Sequence, residues 1–145
     1  MKVKDAYKLE KPSYDDLDKE FEISTIEETN FPIKEIRKKI AEVFESYVKV
    51  IESLLQPESD IIALHEYNYI TEKDRKELHE IFRKLMYYIR YSNELSLDGM
   101  RNEDFIKKAY NDWISMKPRL KTVFAKVKES WNKQIKSSEE IGYLG

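Results

Sequence analysis

The chain has 145 residues, enough for one domain that buries about two-thirds of its unfolded surface. It has no cysteine, which excludes thiol catalysis, thiolate metal ligands and disulfide bonds. The formal net charge of -2 is uneven, since residues 1–30 carry 5 basic and 9 acidic groups and residues 101–145 carry 10 basic and 6 acidic groups. No apolar run suits a membrane span or a signal peptide, so we expect a soluble, cytoplasmic protein.

Residues 1–30 predict an acidic N-terminal arm without sustained periodicity. Ser13 favours a short helix over residues 14–22, for which it is a suitable N-cap. Apolar residues such as Leu17 and Phe21 provide surface with which the arm can dock. The sequence leaves open whether the arm packs on its own domain or on a partner.

A long amphipathic helix is predicted over residues 33–56. Its apolar residues recur at alternating spacings of four and three, and further apolar residues widen this stripe on one side. The apolar arc covers nearly half of the helix circumference, so we expect two neighbouring helices to cover it. Pro57 ends the helix, because proline cannot continue it.

A short helix and a second long helix are predicted next. Ser59 or Asp60 can cap the short helix, residues 61–69. The tetrapeptide Thr71-Glu72-Lys73-Asp74 is related to the capping box and begins the long helix, which runs to about residue 95. We expect the apolar face of this helix to lie against the first long helix.

The C-terminal third predicts either one kinked helix or two helices. Asn102 is a suitable N-cap, and an apolar face follows it. Pro118 either kinks this helix or starts a new one, which continues to about Lys136. Residues after this point have the composition of a tail.

The predicted fold class is all-α, because no segment has the alternating pattern of a strand. With the segment after Pro118 as a separate helix, we expect an antiparallel four-helix bundle with a short extra helix and an extended N-terminal arm. The predicted organisation is an acidic arm over residues 1–30, a helical bundle over residues 31–136 and a tail over residues 137–145.

Neither histidine belongs to a recognised metal-binding or catalytic motif. His65 and His79 lie in matching Leu-His-Glu tripeptides, but Ile62 and Lys76 occupy the glutamate positions of the Glu-x-x-His pattern found in di-metal bundles. The zinc-protease pattern is also missing. The spacing of Arg75 and His79 is too short for helical ribonuclease toxins of the HEPN type. We therefore expect a protein that is not an enzyme and holds no cofactor or metal.

The acidic arm is the first candidate surface for partner binding. Its carboxylates are interleaved with aromatic residues, so it could enter a basic nucleic-acid channel in place of DNA. The alternative is an ordinary solvated or mobile terminus. The candidate contacts are Asp15, Asp16, Asp18, Glu20 and Glu22.

The second candidate surface lies on the polar face of the helix that begins at Thr71. Exposed tyrosines beside arginines are typical of protein interfaces. The same tyrosines can instead be covered by the N-terminal arm or by a second copy of the chain. The candidate contacts are Arg83, Lys84, Tyr87, Arg90 and Tyr91.

The third candidate surface is the basic face of the C-terminal helix. Its cations can meet phosphates or an acidic protein surface, and the alternative is a solvated, lysine-rich helix face. The candidate contacts are Lys117, Arg119, Lys121, Lys126, Lys128 and Lys133.

The chain resembles the small four-helix-bundle proteins of hyperthermophilic archaeal viruses in its size, its lysine-, glutamate-, isoleucine- and tyrosine-rich composition, its lack of cysteine and its helices over 33–56, 71–95 and 102–136. Within that group it looks most like the two-tailed-virus inhibitor of the host RNA polymerase. The resemblance implies a non-enzymatic protein that binds a host multisubunit RNA polymerase in its DNA channel near the clamp and represses transcription. Related bundles are virion components, so a self-associating virion structural protein is the first alternative, and a nucleic-acid-binding bundle is the second.

Overall fold

The computed structural model describes residues 1–58 and 60–133, and these residues form helices and loops without any strand. Ser59, a candidate cap, and the predicted tail over residues 137–145 lie outside the described residues. The helices are α1 (Val3–Ala6), α2 (Tyr14–Phe21), α3 (Pro32–Leu55), α4 (Ile61–Tyr69), α5 (Glu72–Asp98) and α6 (Asn102–Ser130), with a short 3-10 helix, Ile23–Thr25, after α2.

Several helices begin at the caps that the sequence predicts. The Ser13 hydroxyl oxygen accepts from the backbone N–H of Asp16 at 3.1 Å, and the Ser13 backbone N–H donates to the Asp16 carboxylate at 3.0 Å, which completes a capping box on α2. The same arrangement joins Thr71 and Asp74 at the start of α5. Asp60 Oδ1 accepts from the backbone N–H of Ile62 at 2.8 Å and caps α4. These caps act within four residues, which is why the local sequence predicts them.

Asn102 is not the N-cap that the sequence predicts. Arg101 holds that position, with a positive φ of 71° and no side-chain cap bond. The amide of Asn102 is used elsewhere, since its nitrogen donates to the Gly99 carbonyl at 3.1 Å and its oxygen accepts from Arg37 Nε at 2.7 Å. A long-range partner therefore replaces the local cap.

The hydrophobic core lies where α3, α5 and α6 pack pairwise on one another. Arg37, near the start of α3, contacts Ser92 near the end of α5, so these helices run antiparallel. Tyr91 and Asp74 of α5 contact residues near the start and the end of α6 respectively, so α5 is antiparallel to α6 as well. As predicted, α3 is covered by more than one helix, although its apolar residue Val50 is exposed.

Pro118 does not start a new helix. Helix α6 continues through it from Asn102 to Ser130, so the described residues contain three long helices and not the expected four. Pro118 is exposed, whereas Met116 and Leu120 on either side of it are buried. Burial of the apolar face on both sides outweighs the backbone hydrogen bond that proline cannot donate.

The N-terminal segment is not an extended arm, because it packs against the helices that follow it. Leu17, Phe21 and Ile23 are fully buried in the same core as α3 and α6. The ring centroid of Phe21 lies 5.8 Å from that of Phe44 and 6.2 Å from that of Trp113. The segment thus docks on its own domain, which answers the question that the sequence left open.

Candidate functional site

The acidic residues of the N-terminal segment are divided between internal contacts and solvent. Asp16 belongs to the capping box of α2, and Asp18 accepts from the Ser24 backbone N–H at 2.7 Å. The Glu20 side chain is only 5% exposed and accepts from Trp113 Nε1 at 3.0 Å and from Lys117 Nζ at 2.8 Å. Glu20 therefore anchors the segment to α6 and is not available to a partner. Of the five predicted contacts, Asp15 and Glu22 present exposed carboxylates without such a bond.

The predicted basic face of α6 is largely occupied by contacts within the chain. Arg119 pairs with both Glu77 and Glu80 of α5. Lys126 lies 2.9 Å from Asp74, and Lys117 is bound to Glu20. These three cations fasten α6 to α5 and to the N-terminal segment, whose carboxylates lie 39–97 residues away.

The other three cations of α6 lie at its exposed side or end. Lys128 is paired with neighbouring Glu129 at 3.7 Å, with both side chains exposed. Lys121 is exposed. Lys133 lies just beyond the helix, with its Nζ 4.8 Å from the ring centroid of Tyr69. The predicted basic surface is therefore smaller than the sequence suggests.

The Tyr87 surface, which we define as Arg83, Lys84, Tyr87 and Arg90, remains on the outside of α5. The Tyr87 side chain is 56% exposed, and the three cations beside it are exposed as well. Lys84 makes a weak contact with Asp112 at 3.6 Å, and Arg90 donates to Asn93 at 3.1 Å. The structure thus brings these four predicted residues together.

Tyr91, the fifth predicted member, has a structural role. Its ring packs edge-on against Phe105 at 5.4 Å, and its hydroxyl donates to Asp104 at 2.7 Å. Burial and this hydrogen bond raise the pKa of Tyr91 to about 12. The same bond lowers the pKa of the Asp104 carboxyl, with help from Lys108. Tyr91 therefore joins α5 to α6 beside the Tyr87 surface and is not itself available as a partner contact.

Two open depressions flank Tyr87. One, of about 490 Å³, lies toward Met116 and Arg119 of α6. The other, of about 320 Å³, lies toward Arg101 and Asp104. Tyr87 lines both of them, so its exposed ring forms the ridge between two concave areas. A protein loop or side chain can pack against such a ridge from either side.

A further surface, which the sequence analysis did not identify, is an apolar groove between α3 and α5. We call it the α3–α5 groove; its volume is about 440 Å³. The only sequence signal for it was the width of the apolar arc on α3. The groove is lined by the apolar residues Val48, Leu55, Phe82, Met86 and Ile89 and by the polar residues Glu45, Lys49, Glu52, Gln56, His79 and Arg90.

The two histidines contact different parts of the structure. The His65 ring centroid is 4.1 Å from that of Trp131, and its Nε2 is 3.2 Å from Ser130 Oγ. His79 lies at the edge of the α3–α5 groove. Across residues 1–58 and 60–133, no group of three or more histidine, cysteine, aspartate or glutamate side chains is placed to hold a metal ion.

Within the same part of the chain, none of the helices is both long enough and apolar enough to cross a membrane. Comparisons with known protein families, with characterised proteins and with solved structures find no match to this chain.

Proposed function

We propose that this chain is a non-enzymatic protein that binds another protein through the Tyr87 surface, and that its target is a multisubunit RNA polymerase whose DNA channel it occupies. The observation that carries the proposal is the exposed Tyr87 ring, which lies between two depressions and has three exposed cations beside it. Tyrosine and arginine are the residues most enriched at energetically important interface positions. The choice of target rests on the resemblance to the viral inhibitor.

The charge distribution is compatible with binding in a basic channel. The N-terminal segment carries 9 acidic and 5 basic groups, and docking on the bundle holds this negative surface in one place. Such a surface is attracted to a basic channel over distances of about 10 Å at moderate salt. Occupation of the channel would block DNA loading and restrict clamp motion, which represses transcription.

The test is an affinity pull-down from a nuclease-treated hyperthermophilic archaeal lysate, followed by promoter-directed transcription with the purified polymerase. We expect the large polymerase subunits to be retained and transcription to fall. The double variant Tyr87→Ala/Arg83→Ala should weaken binding by about tenfold or more, since it removes the aromatic anchor and one cation. Phe31→Ala is the matched control, because Phe31 is 63% exposed but lies at the start of α3.

Neutralisation of the acidic surface is a second arm of this test. The double variant Asp15→Asn/Glu22→Gln should weaken binding to the polymerase. It should leave the stability of the fold unchanged, because both carboxylates are exposed. Changes at Asp16, Asp18 or Glu20 are unsuitable, since they also break contacts that hold the segment. If the wild type and the Tyr87 variant retain equal amounts of polymerase, the Tyr87 surface is not the contact. If the wild type retains no polymerase, the proposed target is wrong.

Direct nucleic-acid binding through α6 stays a prediction. Lys128→Glu tests it better than Lys126→Glu, because Lys126 also holds Asp74 at 2.9 Å. A DNA affinity that falls steeply with salt and with Lys128→Glu would favour this alternative.

A further inference from the structure

The α3–α5 groove is an apolar surface that shares only Arg90 with the Tyr87 surface. Its floor consists of side chains from two antiparallel helices, and all of its lining residues belong to α3, to Gln56 or to α5. Leu55, Phe82 and Met86 are only partly buried there. No other described segment of the chain lines the groove, so the apolar floor faces outward.

The two edges of the groove differ in charge. The α3 edge carries Glu45 and Glu52 with one lysine between them, and the α5 edge carries His79 and Arg90. Because Phe44 lies beside Tyr88 across the helix pair, Glu52 is level with His79. Side chains on a helix lean toward its N-terminus, which brings the Glu45 carboxylate and the Arg90 guanidinium to similar heights.

We propose that the groove is the contact surface of a homodimer whose two-fold axis runs parallel to α3 and α5. This symmetry places α3 of one copy opposite α5 of the second copy at the same height. Glu45 then faces Arg90 of the second copy, Glu52 faces His79 of the second copy, and each pair occurs twice. The α3–α5 pairs of the two copies together form a four-helix arrangement around Phe82 and Met86.

A second two-fold axis also lies in the plane of the contact, perpendicular to the helices, and the charges favour the parallel axis over it. An axis perpendicular to the helices places α3 against α3 and α5 against α5 of the second copy. Arg90 would then face the α5 edge of the second copy, where no acidic residue lines the groove to pair with it. The parallel axis is self-complementary, and such pairing fixes register and excludes other partners.

The size of the groove predicts a reversible dimer. Residues 45–56 span about 17 Å along α3 at the helical rise per residue. A two-helix face of this length buries less than the roughly 1,200–2,000 Å² typical of stable complexes. The dimer should therefore form at high protein concentration and dissociate on dilution.

The first experiment is sedimentation velocity of the full chain over a concentration series. The wild type should shift from monomer to dimer as concentration rises. Met86→Glu places a carboxylate at the centre of the apolar contact and should raise the dimer dissociation constant by at least about tenfold. Leu97→Glu is the matched control on the same helix, because Leu97 is 90% exposed and lies outside the groove.

A charge-exchange experiment tests the symmetry. Glu45→Arg alone and Arg90→Glu alone each place like charges across the interface and should dimerise more weakly than the wild type. An equimolar mixture of the two variants should form a heterodimer with near wild-type affinity, since the two substituted residues then face each other with opposite charges and the unchanged Glu45 and Arg90 also face each other. Circular dichroism of each variant verifies that the fold is retained.

Three results would overturn the proposal. These are a wild-type chain that sediments as a monomer at every concentration, a dimer that Met86→Glu leaves unchanged, and a mixture that associates no better than its separate components. The Tyr87 surface shares Arg90 with the groove, but the polymerase test changes Tyr87 and Arg83, which do not line the groove, so each of these results leaves that test unaffected.

Discussion

Arg37 is a fully buried guanidinium that joins three helices through hydrogen bonds and not through an ion pair. Its Nη1 donates to the Ser92 carbonyl at 2.6 Å and to Ser96 Oγ at 3.2 Å, and its Nε donates to Asn102 Oδ1 at 2.7 Å. Within the described residues no carboxylate pairs with it, and its Nη2 has no hydrogen-bond partner. Burial accordingly lowers the pKa of Arg37.

Shortening Arg37 should destabilise the fold through lost packing and lost hydrogen bonds. We expect Arg37→Ala to lower the free energy of unfolding by about 3 kcal/mol, because it leaves a cavity and unpaired acceptors. Arg37→Met keeps most of the volume and removes an uncompensated buried charge, so about half of that loss should be recovered. Chemical denaturation monitored by circular dichroism measures both values. Equal losses in the two variants would show that hydrogen bonds, and not packing, make Arg37 necessary.

At the scale of elements, Asp74 connects the start of α5 to α6. Its carboxylate accepts from the Thr71 backbone N–H at 2.9 Å and from Lys126 Nζ at 2.9 Å. Burial by itself raises the pKa of this carboxyl, but the bonds from Thr71 and Lys126 outweigh burial and lower the pKa below its ordinary value. The ionised form is therefore the one that stabilises the folded chain.

The Asp74 contribution should depend on pH. Because the folded-state pKa lies below the unfolded value of about 3.9, the stabilisation is present above that pH and is lost as the pH falls through the folded-state pKa. We expect Asp74→Ala to cost about 1–2 kcal/mol at pH 7 and less at a pH below about 3.9. Unfolding curves at several pH values measure this difference. Glu129→Ala is the control, and its exposed pair should contribute less than about 0.5 kcal/mol at either pH.

At the scale of the whole molecule, the N-terminal segment completes the core. Phe21 fills the space between α3 and α6, and Glu20 binds both the Trp113 indole and Lys117 beside it. Trp113 also stacks on Tyr47 with ring centroids 5.1 Å apart. An aromatic cluster thus spans the segment, α3 and α6, and it depends on the segment being in place.

Loss of the N-terminal segment should destabilise the entire fold. We expect Phe21→Ala to lower the free energy of unfolding by about 3–5 kcal/mol, as for other large buried aromatic residues. Deletion of residues 1–26 should lower the thermal midpoint further and expose Trp113 to solvent, which shifts its fluorescence to longer wavelength. Phe31→Ala should leave the midpoint nearly unchanged, because Phe31 is exposed. A deletion variant as stable as the full chain would mean that the segment behaves as an independent arm.

The sequence by itself determined most of the helices and several of their caps. Helix formation depends on apolar periodicity and on capping contacts within about four residues, so Ser13, Asp60 and Thr71 were recognisable as starting points. The helical period places both Tyr87 and Tyr91 on the polar face, but only Tyr87 is exposed, because Tyr91 packs against Phe105 and binds Asp104.

The tertiary structure decided which polar groups remain for a partner. Glu20 and Lys117 were both predicted contacts, but they lie 97 residues apart and bind each other. The continuity of α6 through Pro118, the docking of the N-terminal segment and the α3–α5 groove likewise depend on surfaces that exist only after the helices have assembled. The physical reason is one of range: local contacts specify each helix, whereas burial and pairing between distant helices specify what stays exposed.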